Sequence, residues 1–294
     1  MAPIIDIIRH AESEHNIYPN GSYIVDPGLT PGGEDQASSL GRFYANNNKD
    51  NPIMNNVTHI ISSPMRRCIR TAQIAFEPLL NDGDVSGSGK KILLLAELQE
   101  TGVMPSDRGS SVAALREEFA PQVDTSRLDG DWYLKTQSSR YRPDVSLVEE
   151  RAREARVFIR SLARRQAASH ISKRRDGKDR DARIVVMTHG GFAHFLTGDY
   201  SGLNEDYFTS YGNASVRSFR FVDLDGDDDE AGMVMTEESC DRQRGEHGIH
   251  SFETLGGEEK TRLRGFAVRR VEAQKTLFEE MTKPDRGEVR THVF

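Results

Sequence analysis

The sequence predicts an α/β fold, and three stretches predict it. Two short apolar runs, IIDIIRH at 4–10 and RIVVMTHGG at 183–191, each deliver a histidine at their end. Runs of that length read as buried strands, and open α/β sheets place their chemistry at the C-terminal ends of such strands. Between them, residues 147–167 carry Val148, Ala152, Ala155, Phe158, Ile159 and Leu162 as one apolar stripe of a helix, with the interspersed arginines assigned to its wet side.

The other elements follow in order. Residues 4–8 form the first strand, followed by a polar loop with Pro19, Gly21, Pro27 and Gly28. Leu40 and Phe43 with flanking alanines indicate a short helix from about Glu34 to Asn46, and NVTHIISS at 56–63 is a second core strand. Ser63 before Pro64 marks a helix start, because serine caps orphan amides and proline fits the first helical position; the helix runs to about Phe76. NDGDVSGSGKK at 81–91 is a surface connection, and ILLLAEL at 92–98 returns to the core.

Residues 101–145, with proline, glycine, Ser/Asp clusters and the only tryptophan, Trp132, form the least regular part. They read either as an insertion that contacts substrate or as a long surface excursion. SKRRDGKDRD at 172–181 is a mixed-charge loop whose acids offset its bases. Residues 215–222 and 232–236 form a late hairpin joined by DLDGDDDE, which lacks the glycine and glutamate spacing of a calcium loop and reads as a solvated acidic turn. A charged helix covers 256–281 before a loose tail.

A chain of 294 residues can bury one large core, and its net charge of −7 gives no reason to expect nucleic acid, although a local basic pocket remains open. MAPIIDIIRHAE lacks a secretory signal pattern and no 18-residue apolar run exists, so no membrane partner is expected. Cys68 and Cys240 form no disulfide framework; this predicts a reducing compartment such as the cytoplasm and leaves a nuclear location open. Oligomeric state is not legible.

RHAESEHN at 9–16, SSPMRRCIRTA at 62–72 and THGG at 188–191 together resemble the histidine phosphatase superfamily, the phosphoglycerate mutase-like proteins. LAELQETG at 95–102 and DPGLTPGGEDQA at 26–37 are weaker matches. The resemblance spans roughly 4–222. It implies a single domain over 1–294 with a three-layer α/β/α architecture and a mostly parallel central sheet with helices on both faces. An insertion at 101–145 would lie over the C-terminal edge, and 223–294 would be an atypical extension.

The resemblance further implies that His10 is the nucleophile that becomes phosphorylated. Arg9, Arg67 and His189 would surround the phosphoryl group, Asn16 would help hold it, and Glu100 would be the leaving-group acid. Arg67 is chosen because it lies three positions beyond Pro64. No cofactor or metal is expected, and the substrate would be a phosphorylated small molecule or a phosphoprotein.

These residue types suit the reaction. Guanidiniums grip phosphoryl oxygens with directed donors, and a neutral imidazole offers a lone pair near pH 7. One carboxyl can protonate the leaving alkoxide and then take a proton from water, provided burial and phosphate charge favour its protonated form. Glu97 is the alternative acid: in an extended 95–100 it would face away from Glu100. His15, His194 and Asp107 lie near the motifs without a required role beyond lining the pocket, Cys68 reads as a small buried filler, and Tyr18, Tyr23 and Trp132 are assigned to packing, with stacking on an organic group as the alternative.

Two rival functions share the fold. A phosphoglycerate mutase-type transferase is disfavoured because His15 stands where a tryptophan usually precedes Asn16, and LQETG replaces the mutase glutamate segment. The other rival is a catalytically silent phosphate- or phosphopeptide-binding module.

Overall fold

Side-chain alternation along the strands decides which layer each residue meets. The computed structural model describes residues 2–46, 52–81, 89–173, 181–207, 209–249 and 252–283. Its strands are β1 (Ile4–Arg9), β2 (Val57–Ser62), β3 (Ile92–Leu94), β4 (Val123–Asp124), β5 (Arg183–Thr188), β6 (Val216–Phe221) and β7 (Met233–Met235), in the sheet order β4-β3-β2-β5-β1-β6-β7. The first five run parallel, while β6 pairs antiparallel with β1 and with β7, the latter forming the expected late hairpin.

The helices are α1 (Glu14–Ile17), α2 (Pro31–Asn46), α3 (Arg66–Ala75), α4 (Glu77–Asn81), α5 (Val112–Phe119), α6 (Val145–Lys173), α7 (Gly190–Thr197), α8 (Glu237–His247) and α9 (Gly257–Met281). Parallel pairing requires crossovers, and α2, α3, α5 and α6 supply them. Ile5, Ile7, Ile184 and Val186 meet Val148, Ala152 and Ile159 of α6, Phe192 of α7 and Val271 of α9. Ile8, Ile60, Val185 and Met187 meet Leu40 and Tyr44 of α2, Ile69 and Ala72 of α3, Leu115 of α5 and Trp132. The result is a three-layer α/β/α fold.

Asp6 interrupts the apolar run of β1 yet is fully buried. Its carboxylate accepts from Arg183 at 2.8 Å, Tyr44 Oη at 2.8 Å and Ser218 Oγ at 2.6 Å, joining β1, β5, β6 and α2. A buried charge with this many donors is tolerated because each lone pair is matched.

Several expectations are corrected. Ser63 does not cap α3. Its amide is claimed by the Met187 carbonyl at 2.9 Å, which prolongs the β2 pairing, and the cap falls on extended Met65. The region 101–145 is more regular than expected: Ser111 caps α5 by accepting from Ala114 N, and β4 adds a strand beside β3. Trp132 is packed, with Gly109 so close that a Cβ there would meet its ring at 2.1 Å. Tyr18 and Tyr23 are not packed; they are 49% and 67% exposed.

The arginines of α6 do not all face water. Arg151 and Arg160 are buried, and Arg160 meets Asp228 at 2.7 Å while Arg164 donates to the Leu224 carbonyl at 2.6 Å. The acidic turn is therefore docked on α6 rather than merely solvated. Residues 82–88 of the 81–91 connection, 174–180 of the mixed-charge loop and the tail from 284 lie outside the described residues. The polar α8, capped by Thr236 through Ser239 N, was not anticipated because it lacks an apolar stripe.

Replacing Asp6 with alanine leaves the Arg183 guanidinium without its carboxylate inside the sheet. The expected loss is about 3–5 kcal/mol of unfolding free energy in urea titration; a loss below about 1 kcal/mol would show that the network is dispensable.

Candidate active site

The parallel strands β1, β2 and β5 and the turn that follows β3 all point their C-terminal ends at one place. His10 follows β1 directly, its amide donating to the Thr188 carbonyl at 3.0 Å. Its ring Nδ1 is 2.7 Å from the Ala11 carbonyl. A carbonyl only accepts, so Nδ1 carries the proton and Nε2 keeps its lone pair. The His10 backbone carbonyl in turn accepts from Asn213 Nδ2 at 3.2 Å and Ala214 N at 3.3 Å. Behind it, Gly33 packs so tightly that a Cβ would fall 1.9 Å from the Glu12 carbonyl oxygen.

His189 follows β5 and opens α7. Arg67 Nη2 lies 3.1 Å from His189 Nδ1, and since a guanidinium only donates, Nδ1 accepts. Nε2–H is then the donor to Ser63 Oγ at 2.8 Å. The His10 and His189 ring centroids are 5.2 Å apart, and His15 stands 5.5 Å from His10 on its other side.

Arg67 projects from the first turn of α3 and is 1% exposed. Its Nη1 donates to the Ser106 carbonyl at 2.8 Å, and Asp107 lies 3.7 Å from Nη2. Arg9 Nη1 donates to the Tyr211 carbonyl at 2.7 Å, and the charge of Arg9 is felt by Glu100, Arg67 and His10. The Nε–H groups of both arginines are buried without a protein partner. Unmatched buried donors of positive charge are what an oxyanion satisfies.

Glu100 is buried, and its carboxylate accepts from Thr101 N at 2.8 Å, Phe192 N at 3.0 Å and Gly191 N at 3.1 Å. It thus sits on the first turn of α7. Residues 96–98 form a 3-10 turn rather than extended chain, so the opposite-sides argument fails, although Glu100 still turns inward. Arg151 lies beside Glu97, its Nη1 donating to the Glu97 carbonyl at 2.8 Å.

Asn16 lies at the exposed rim. Its Oδ1 accepts from Ser13 N at 3.0 Å and from Asn213 at 3.4 Å, and its Nδ2 donates to His15 Nε2 at 3.1 Å. His194 is not part of the cluster; it is bonded to the Asp199 carbonyl at 2.6 Å beneath α7. Cys68 packs 3.5 Å from His189, and burial pushes its thiol up to about 12, which keeps it inert.

Groups that the sequence did not flag complete the surroundings. Lys135 donates to the carbonyls of Glu100, at 3.2 Å, and Gly102, and burial lowers its ammonium to about 8. Arg151 reaches the carbonyls of Gln99 and Glu100. Neither carries a motif, since their partners are backbone atoms remote in sequence. Burial comes first among the causes that hold His10 and His189 well below 6.5, with the Arg67 charge next. His15 is lowered to about 3 for the same two reasons. Asp107 is raised, chiefly by burial.

A larger cavity, about 700 Å³, lies beside α6 among Glu149, Arg153, Tyr200 and Glu253 and contains none of these residues. Side-chain chemistry therefore identifies the site better than volume does. Among the described residues no group of three or more His, Cys, Asp or Glu is disposed to hold a metal, and no helix is long and apolar enough to cross a membrane.

These features define an α/β/α protein with an imidazole- and guanidinium-lined recess at its strand ends. The chain belongs to the histidine phosphatase superfamily (branch 1), whose profile its residues 5–227 match. No curated protein sequence matches it significantly. Similar solved structures include a phosphoserine phosphatase from Entamoeba histolytica in complex with phosphoserine, 18% identical, covering 80% of this chain and 95% of that one, with a TM-score of 0.40. Another is the ecdysone phosphate phosphatase of Bombix mori in complex with tungstate, 17% identical, covering 74% and 89%, with a TM-score of 0.44.

The three neutral histidines make stability depend on pH. In the unfolded chain each takes a proton near 6.5, whereas in the fold each resists it. Stability is therefore full above 6.5 and falls as pH drops below it, by up to about 1.4 kcal/mol per pH unit for each histidine. Urea titrations from pH 7.5 to 5 are expected to show this slope, reduced by about one proton in His15→Asn; an identical slope in that variant would contradict the assignment.

Proposed function

We propose that the chain is a phosphomonoester hydrolase acting through a phosphohistidine on His10. The observation that supports this most is the pair of buried, unpartnered Nε–H groups of Arg9 and Arg67 beside an imidazole whose Nε2 lone pair is free. A phosphate ester supplies the oxygens these donors lack and the phosphorus this lone pair attacks.

In the first step His10 Nε2 forms a bond to phosphorus, and the ester P–O bond breaks with its electron pair leaving on the alkoxide oxygen. Arg9 and Arg67 bind the equatorial oxygens as charge shifts onto the leaving atom. His189 exchanges its Ser63 bond for a phosphoryl oxygen and so contacts the group while Arg67 remains behind it. Asn16 turns its amide inward from the rim. Glu100, beside the bound dianion, carries a proton and gives it to the alkoxide. In the second step water attacks phosphorus, Glu100 takes the water proton, and the N–P electrons return to His10. The substrate is a phosphorylated small molecule or a phosphoprotein, and the reaction uses no metal or other cofactor.

One observation favours the silent binding module instead: both ring nitrogens of His189 are already bonded within the protein. Turnover separates the two readings. Hydrolysis of p-nitrophenyl phosphate supports the enzyme, and binding of phosphate without hydrolysis from pH 4.5 to 7.5 supports the module.

His10→Ala is expected to lower hydrolysis by about 10³-fold or more, with its melting temperature preserved and the alkali-stable, acid-labile phosphoryl label of wild-type His10 lost. Native-like turnover in that variant would exclude the covalent route. Glu100→Gln is expected to lose about 10²–10⁴-fold with alkyl esters and much less with p-nitrophenyl phosphate; equal losses would move the acid role elsewhere. Because His10 stays neutral well below 6.5, kcat/KM of the free enzyme is expected to hold on the acid side of pH 6.5. A fall centred at 6.5 with an ester of constant ionisation would contradict the environment assigned to His10.

A further inference from the structure

A cavity of about 490 Å³ is walled by Val25, Val103, Pro105, Leu134, Phe278 and Met281, with Arg108, Lys135, Thr136, Gln137 and Thr282 completing its lining. Its size is that of a pocket for an organic ligand. The segments that build it are fixed to the anion site. Pro105 opens the turn whose Ser106 carbonyl accepts from Arg67 and whose Asp107 faces the same guanidinium. Lys135 lines the recess while its ammonium bonds the Glu100 and Gly102 carbonyls. Val25 precedes Asp26, which accepts from the amide of Arg66, the neighbour of Arg67, at 3.0 Å. Helix α9 is tied in by Gln274, which accepts from Val103 N at 3.0 Å.

The wall leaves apolar side chains uncovered: Val25 is 52% exposed and Met281 36%. The turn at 21–23, which packs on the 105–107 turn, adds the exposed ring of Tyr23. Uncovered apolar surface beside a charged site marks a place where an apolar group docks. A sugar or nucleotide needs a dense set of donors and acceptors. Here Lys135 is committed to backbone carbonyls, Gln137 donates to Thr282 Oγ1 at 2.6 Å and Thr136 pairs with Ser138, which leaves mainly hydrocarbon to meet a ligand.

Resting on the hydrolase reading above, we propose that this recess is the leaving-group subsite and takes the hydrocarbon body of an alkyl or fused-ring phosphate monoester. The phosphoryl group sits among His10, Arg9 and Arg67, and the alcohol portion extends past Asp107 and Lys135 toward α9. Selectivity is thus set by the 101–145 region and by a helix beyond the 5–227 match.

The test measures binding rather than turnover. Methyl- to n-octylphosphonate, which cannot be hydrolysed at the P–C bond, are titrated by calorimetry into the full chain. Affinity is expected to rise about two- to fourfold per added methylene until the recess is filled. Leu134→Asn, and Val25→Ser combined with Met281→Ser, are expected to flatten that rise while leaving methylphosphonate affinity unchanged. The last two positions are exposed enough to be replaced without unfolding. A flat series in the wild type, no binding by any member, or a steep series that survives in both variants overturns the subsite. Failure of the hydrolase reading is seen separately, as absent turnover of p-nitrophenyl phosphate with the chain-length dependence intact.

Discussion

Arg67 is the group on which the site depends. Removing a guanidinium from water costs several kcal/mol, and here the cost is offset by the Ser106 carbonyl, the His189 Nδ1 lone pair and the nearby Asp107 carboxylate. Its charge has a second effect, since it helps keep His10, His15 and His189 unprotonated. One buried cation therefore fixes a ring orientation, holds the nucleophile candidate neutral and supplies attraction for an anion. These effects share one cause, so they cannot be tuned independently.

How much of this was legible in the sequence varies with the kind of interaction. His10 and His189 could be read because an apolar run that stops at an imidazole marks a strand end, and strand ends converge in a parallel sheet. Arg67 could be read only through the resemblance, whose SPxxR pattern puts an arginine three positions beyond the proline. Ser63 was misread because a cap signal is local, whereas the Met187 carbonyl that claims its amide lies on another strand. The α6 arginines were assigned to water because periodicity locates the apolar stripe but not what docks beside it. Their acidic partners in the turn after β6 were likewise taken for a solvated run, so one interaction was missed from both sides. Lys135, Arg151 and Asn213 had no sequence signal, since each bonds a backbone carbonyl and any sequence provides those.

The same distinction separates the general from the particular in this molecule. His10 and His189 follow β1 and β5 directly and Arg67 stands on the first turn of α3, so regular elements at the sheet's carboxyl edge set their positions. Groups suited to the remainder of a ligand lie on the 101–145 region, the 17–25 loop and α9. Those segments are bonded to one another and to the rest as well, through Gln274 to Val103, Lys275 to Asp144 and Lys135 to the Glu100 carbonyl. A scaffold arranged in this way can change the wall of the cavity of about 490 Å³ without moving the imidazoles and guanidiniums at the strand ends.

Asn213 holds the His10 carbonyl and also bonds Asn16, two residues about two hundred positions earlier in the chain. On a ribosome, a nascent chain that stops short of β5 owns an imidazole and a guanidinium but neither His189 nor the strand that aligns His10. The cluster of imidazoles and guanidiniums therefore assembles late in synthesis, after the sheet's central pair has closed.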